Sequence, residues 1–189
     1  LMNYLLKKKY SAEELERVGL TVQSAKSAGY DRFRGRLVFP IKDSRGNIIA
    51  FSGRVLKEEK DNPGSKYINT TETSIYHKRE SLYGIYSARD SIKKEGFVIL
   101  VEGEFDVITP FQYGIENIVA VKGSAITGDQ LMLLKRYCTR LVFALDADAT
   151  GEEAVKRGTD EAEKLDFEIE VMVLDFAKDP DEAVRKDFT

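Results

Sequence analysis

Four short apolar runs in the second half of the chain alternate with stretches that have helical spacing. The runs are FVILV (97–101), NIVAV (117–121), LVFAL (141–145) and EIEVMVL (168–174). Strands that alternate with helices in this way form βαβ units, and right-handed crossovers place such strands in one parallel sheet. Because the runs are almost continuously apolar, helices should cover both faces of the sheet. The pattern predicts an α/β fold with a four-stranded parallel sheet flanked by helices.

Acidic residues follow three of these strands. Glu102 comes directly after the first, Asp146 and Asp148 after the third, and Asp179 and Asp181 shortly after the fourth. The carboxyl ends of parallel strands share one edge of the sheet, where open α/β folds bind ligands. Like charges gathered there would destabilise the fold unless a cation lay among them. Oxygen ligands without Cys or His favour Mg²⁺, Mn²⁺ or Ca²⁺. Three other interpretations stay open: Glu102 as a turn residue, Asp146 and Asp148 as a turn plus an N-cap, and 179–181 as a helix N-terminus with an Asp cap.

The bulk composition excludes several classes of protein. The 189 residues are 42% hydrophobic and 32% charged, without an apolar run long enough for a membrane span. The single Cys138 and the single His77 exclude an internal disulfide framework, a Cys- or His-based metal site and a Ser-His-Asp or Cys-His catalytic set. This usage suits a reducing, cytoplasmic setting. A chain that opens with Leu before Met is expected to be a fragment of a longer protein.

The first half of the chain differs from the second in charge and pattern. Residues 1–95 carry 19 Lys and Arg against 12 Asp and Glu, a net charge of +7, whereas residues 96–189 carry 10 against 20, a net charge of −10. This split suggests an anionic partner on one side and cations on the other, although two solvated surfaces could also produce it. We predict one or two helices in 1–18 with a capping box from Ser11 to Glu14, and a helix over 81–94. RLVFPI, DSRGN and IIAFSGRVL (36–56) predict a β-hairpin.

Four side chains of this basic half are candidates for nucleic-acid contacts. Arg34 and Arg36 are two residues apart and would share a face of the hairpin. Tyr67, next to Lys66, pairs a ring for base stacking with a cation for phosphate. The alternative is an edge strand in which Tyr67 packs inward.

The motifs resemble those of a known family. EGEFD (102–106), DAD (146–148) and DPD (179–181) resemble the signature of Toprim domains, a Glu after the first strand and a D-x-D after a later one. FRGRLVFPIKDSRGNIIAFSGRVL (33–56) and KYINTTETSIYHKRESLYG (66–84) resemble the RNA-polymerase core of bacterial DnaG-type primases. The resemblance implies a Toprim subdomain at 96–189, preceded by a smaller basic α+β subdomain at 1–95. It also implies that the family's zinc-binding, helicase-binding and C-terminal helical regions lie outside this chain.

The resemblance implies a role for each matching residue. Glu102, Asp146 and Asp148 match the catalytic metal ligands, and the remaining acids of the implied metal-binding set are Asp106, Asp179 and Asp181. The implied nucleic-acid- and nucleotide-binding set is Arg34, Arg36, Arg54, Lys66, Tyr67, Asn69 and Lys78. The chain departs from the family at Ala147 and Ala149, where many members have D-G-D and a basic residue, and at 122–125, where many have L-G-T-[ST]. Lys122 in that segment is interpreted as either a phosphate contact or a solvent-facing side chain.

The implied function is that of a DNA primase, which synthesises short RNA primers for replication by metal-dependent nucleotidyl transfer. The implied cofactors are two or more Mg²⁺ or Mn²⁺ ions, and the substrates are ribonucleoside triphosphates. The expected partners are single-stranded DNA template, the RNA primer and, through a domain outside this chain, the replicative helicase of the primosome. No membrane is involved, and the expected location is the bacterial cytoplasm, at the replication machinery of the nucleoid. The alternatives are a non-catalytic Toprim DNA-binding or recombination module and a Toprim topoisomerase or nuclease.

Overall fold

The computed structural model describes residues 1–24, 27–56, 65–123, 125–145 and 149–186. The described helices are α1 (Met2–Lys7), α2 (Ala12–Arg17), α3 (Ile85–Glu95), α4 (Glu104–Gln112), α5 (Gly128–Leu134), α6 (Ala149–Glu163) and α7 (Pro180–Lys186), with a 3₁₀ turn at Lys78–Glu80. The described strands are β1 (Thr21–Ser24), β2 (Ser27–Asp31), β3 (Arg36–Lys42), β4 (Ile48–Val55), β5 (Tyr67–Asn69), β6 (Leu82–Tyr83), β7 (Phe97–Val101), β8 (Ile118–Val121), β9 (Arg140–Phe143) and β10 (Glu168–Val171). Each helix in these ranges is too short or too polar to cross a membrane.

The chain packs as two compact units. One contains residues 1–41 and 48–77, and the other contains residues 42–47 and the chain from residue 78 onward. Residues 78–95, which the charge split groups with the basic half, therefore pack within the second unit. The division into functional subdomains at 95/96 stays a prediction.

The second unit is built on a sheet whose described strands have the order β10-β9-β7-β8-β6. Strands β7, β8, β9 and β10 are parallel to one another, so the predicted α/β fold with a four-stranded parallel sheet is confirmed. Strand β6 pairs antiparallel with the end of β8 and was not predicted. The expected helix over 81–94 begins at Ile85 instead, because Gly84 turns the chain with a φ of 89°. A Cβ at Gly84 would also lie 3.1 Å from the Val107 side chain.

Helices bury both faces of this sheet. On β8, Val119 and Val121 belong to an apolar cluster with residues of α3, α5 and α6. Ile118 and Ala120, which alternate with them, belong to a second cluster that contains Val107 of α4. Successive side chains of a strand point to opposite faces. The core therefore has two layers, as the continuous apolar runs predict, and the C-terminal ends of the strands form a common edge.

The first unit contains two small sheets and the N-terminal helices. Strands β1 and β2 form an antiparallel pair, and β3, β4 and β5 form a second sheet in that order. The predicted hairpin of β3 and β4 is confirmed, and its turn, residues 42–47, belongs to the second unit. In this turn the Asp43 carboxylate accepts hydrogen bonds from the backbone N–H groups of Arg45 and Asn47, both at 2.9 Å. The predicted capping box between Ser11 and Glu14 begins helix α2.

Candidate functional site

The candidate metal site lies at the C-terminal ends of the parallel strands. Strand β7 lies between β8 and β9, and Glu102 follows it directly with a half-buried side chain. Glu102, Gly123 and Leu145 line a small cavity at this edge of the sheet. Leu145 precedes Asp146 in the sequence, but Asp146 and Asp148 lie outside the described residues. Their predicted approach to Glu102 therefore stays a prediction.

Asp106 holds the turn that follows Glu102. Its Oδ2 atom accepts a hydrogen bond from the Gly103 backbone N–H at 2.9 Å, which caps the start of α4. Its Oδ1 atom accepts from the Asp181 backbone N–H at 3.3 Å. A Cβ at Gly103 would lie 2.8 Å from the same carboxylate, so a larger residue at this position would displace the Asp106 side chain. The E-G-x-x-D spacing thus has a local reason: the last acid caps the helix, and the glycine makes room for it.

The acids at 179–181 begin helix α7. Asp179 accepts a hydrogen bond from the Glu182 backbone N–H at 2.8 Å, which is the N-cap arrangement that the sequence left open. Asp181 accepts hydrogen bonds from the Thr109 hydroxyl and from Arg185 Nε, the latter at 2.8 Å. These contacts join α7 to α4. Each carboxylate oxygen has two acceptor sites, so capping leaves room for a metal ligand role.

A buried ion pair at this edge was missed at the sequence level. Lys122 follows strand β8, and its Nζ pairs with the carboxylate of Glu104, the first residue of α4. Their side chains are only 7% and 2% exposed, so Lys122 does not face solvent. The pKa of Lys122 is lowered by burial, which outweighs the opposing effect of Glu104. Burial, assisted by the charge of Glu104, raises the pKa of Tyr83 to about 12. The only sequence signals were the acid inside E-G-x-x-D and the lysine in place of the family's leucine.

The donors at this edge fit a hard divalent cation. They are carboxylate oxygens, which Mg²⁺ and Mn²⁺ prefer. Lys122 pairs with Glu104, which lies outside the expected ligand set. No group of three or more Asp, Glu, His or Cys side chains suited to a metal occurs among the described residues, a set that omits Asp146 and Asp148.

The structure separates two arginines that were expected to share a face. Arg36 lies on β3 and donates hydrogen bonds to the backbone carbonyls of Gly53, Ser65 and Lys66 at 2.9–3.2 Å. Arg34 instead lies in the turn before β3, where its exposed guanidinium is 4.3 Å from the centre of the Tyr30 ring. The expectation of a shared face was wrong because only one of the two residues is in the strand. Arg36 joins backbone segments, whereas Arg34 presents charge to solvent.

The other basic-half candidates lie in different surroundings. Tyr67 is half-buried on β5, an edge strand, and its hydroxyl accepts a hydrogen bond from Arg54 at 3.2 Å. Lys66 is exposed, and Asn69 is half-buried with an Oδ1 atom that has no hydrogen-bond partner. Lys78 lies in the 3₁₀ turn of the second unit and contributes to the lowered pKa of Lys122.

The parallel sheet and its strand-end acids define the second unit as a Toprim-like α/β domain, and the "Toprim-like" family matches residues 99–184. The family described as "DNA primase catalytic core, N-terminal domain" matches residues 1–89. The chain belongs to the bacterial DnaG-type primase family. It is 43% identical over 187 residues to the DNA primase of Clostridium acetobutylicum, and the matched region covers 98% of this chain and 30% of that protein. It is 35% identical over 187 residues to the DNA primase of Halalkalibacterium halodurans, and the matched region covers 98% of this chain and 31% of that protein.

Solved structures agree with this assignment. The zinc-binding and RNA polymerase domains of the Aquifex aeolicus primase match with a TM-score of 0.87 at 35% identity, covering 97% of this chain and 45% of that one. A DnaG primase catalytic domain bound to single-stranded DNA matches with a TM-score of 0.85 at 36% identity, covering 98% of this chain and 58% of that one. The chain thus spans less than a third of the length of these two curated relatives and about half of these two solved chains.

Proposed function

We propose that this chain forms the RNA-polymerase core region of a DNA primase and joins ribonucleotides on a single-stranded DNA template. The observation that carries the proposal is the position of Glu102, which follows the central strand β7 and shares a cavity with Leu145, the neighbour of Asp146 in sequence. Family membership supports the same activity. A cytoplasmic role in bacterial replication belongs to this proposal.

The proposed metal-binding residues are Glu102, Asp146 and Asp148, with Asp179 and Asp181 as further acids. Two or more bound Mg²⁺ or Mn²⁺ ions would activate the attacking 3′-hydroxyl and neutralise charge on the α-phosphate and on the departing pyrophosphate. The contribution of the chain is to position these carboxylates. Asp106 contributes by capping α4, which holds the backbone next to Glu102.

The basic residues of the first unit are proposed to hold the template and nucleotide phosphates. Arg34 and Lys66 are exposed and suited to phosphate contacts that depend on salt rather than on sequence. Arg36 is assigned a supporting role in this proposal, because its guanidinium already bonds to three carbonyls. Tyr67, with Arg54 against its ring at 5.5 Å, is a candidate for base stacking.

Template-dependent dinucleotide synthesis tests the proposal. Glu102→Gln should reduce synthesis by at least 100-fold, since metal ions supply most of the catalysis. Glu168→Gln is the matched control, because Glu168 is exposed at the opposite, N-terminal end of strand β10. Near-normal synthesis by Glu102→Gln at saturating Mg²⁺ would contradict the assignment. DNA binding without any synthesis by the unaltered chain would favour the non-catalytic module, and DNA cleavage would favour the nuclease or topoisomerase.

A further inference from the structure

The ion pair between Lys122 and Glu104 needs a reason, because burying two charges is costly. Both side chains are almost fully buried, at 7% and 2% exposed. An apolar pair of similar volume is often as stable as a buried ion pair or more stable. Stability alone therefore does not explain why charged residues occupy these positions.

The surroundings of Glu104 hold its carboxylate in one place. Glu104 is the first residue of α4, where the helix dipole favours negative charge. Burial raises the pKa of the Tyr83 phenol on β6, and the negative charge of Glu104 raises it further. Lys122 completes the arrangement from the end of β8. The start of α4 and the end of β8 thus meet at one buried carboxylate.

The pair also spans the loop that carries the proposed metal ligand. Strands β7 and β8 are parallel neighbours, with Val101 opposite Ala120. Glu102 and Gly103 connect β7 to α4, so they lie between a strand and a helix start that Lys122 anchors. Glu104 lies only two residues after Glu102 in the sequence. Loss of its ion pair would therefore act on the backbone next to the Glu102 carboxylate.

We propose that Lys122 is a positioning residue that sets the metal-binding geometry of Glu102 through its ion pair with Glu104. This inference rests on the proposed function, in which Glu102 binds the metal. Partners that orient metal ligands typically contribute about 10- to 100-fold to metal affinity. Loss of the pair should therefore weaken metal binding by at least about tenfold.

A direct phosphate contact by Lys122 makes a different prediction. Because the Nζ atom is buried and paired, it would have to leave Glu104 to reach a phosphate. Loss of such a contact would raise the KM for nucleotide and leave the metal affinity unchanged. The two roles can therefore be separated by measuring metal binding without nucleotide.

The experiment measures Mn²⁺ binding to the chain by electron paramagnetic resonance and calorimetry. Lys122→Met and Glu104→Gln should each raise the Kd for Mn²⁺ about tenfold. The double variant should show the same loss of about tenfold rather than about 100-fold, because both substitutions remove one shared interaction. Circular dichroism checks folding of each variant. If a single variant does not fold, the double variant decides, since it leaves no unpaired buried charge.

The outcomes separate the inference from the function on which it rests. The positioning role would be overturned if the folded variants had an unchanged Kd for Mn²⁺, or if only the KM for nucleotide rose. It would also be overturned if the effects of the two substitutions on the Kd multiplied in the double variant. The reference is Glu102→Gln, which should remove Mn²⁺ binding at this site. If it does not, or if the unaltered chain binds no Mn²⁺, the proposed metal site itself is wrong.

Discussion

Asp106→Asn separates two roles that the same carboxylate could have. The resemblance to DnaG-type primases makes Asp106 a metal ligand, whereas the structure makes it the cap of α4 and an acceptor for the Asp181 N–H. An asparagine has the same size but only one acceptor oxygen. Its amide nitrogen would face one of the two backbone N–H groups, and that hydrogen bond would be lost.

The expected cost follows from these two contacts. A hydrogen bond to a charged group contributes about 1.5–3 kcal/mol, and a buried N–H left without an acceptor carries a similar penalty. Asp106 is only 8% exposed, so water would not fully replace the lost acceptor. We expect the free energy of unfolding to fall by about 2–3 kcal/mol.

Urea denaturation followed by circular dichroism, without divalent metal, measures this loss. Asp90→Asn is the matched control, because the Asp90 side chain is 82% exposed. That control should stay within about 0.5 kcal/mol of the unaltered chain. An Asp106→Asn variant that is equally stable would refute the capping argument. If the same variant also lost Mn²⁺ binding, Asp106 would act as a ligand instead.

Three further predictions concern charge, packing and titration. Arg34→Ala should weaken single-stranded DNA binding and reduce the salt slope of the affinity by about one, whereas Arg36→Ala should mainly lower thermal stability, as binding titrations and melting curves would show. Gly158→Ala should destabilise the fold by about 1–3 kcal/mol in urea melts, because its Cβ would lie 2.8 Å from an aromatic ring carbon of β9; Gly128→Ala, with open space around it, should not. Burial raises the pKa of the Cys138 thiol from 9.0 to about 11. The buried neutral thiol therefore contributes fully to the free energy of unfolding below pH 9.0, and this contribution is lost as the pH rises to about 11. In urea melts across that pH range, the free energy of unfolding should fall less for Cys138→Ala than for the unaltered chain. An identical fall in both proteins would contradict the role of burial.

Patterns within short segments were enough to predict the scaffold. The spacing of apolar residues and the apolarity of a run are local properties of the sequence. The four parallel strands and the hairpin around Asp43 could therefore be predicted before any coordinates. The position of Glu102 at a strand end also followed from the sequence, since parallel strands bring their carboxyl ends to one edge.

Tertiary packing decided which partners the polar side chains have. Arg36 looked like a phosphate contact but bonds to carbonyls as far as 30 residues away. Glu104 and Lys122 are 18 residues apart and meet only because β7 and β8 are neighbours. Such pairings depend on which elements lie side by side, and that information is spread over the whole chain. The sequence alone thus determined the sheet and the acids at its edge, and only the tertiary structure determined how those acids are held.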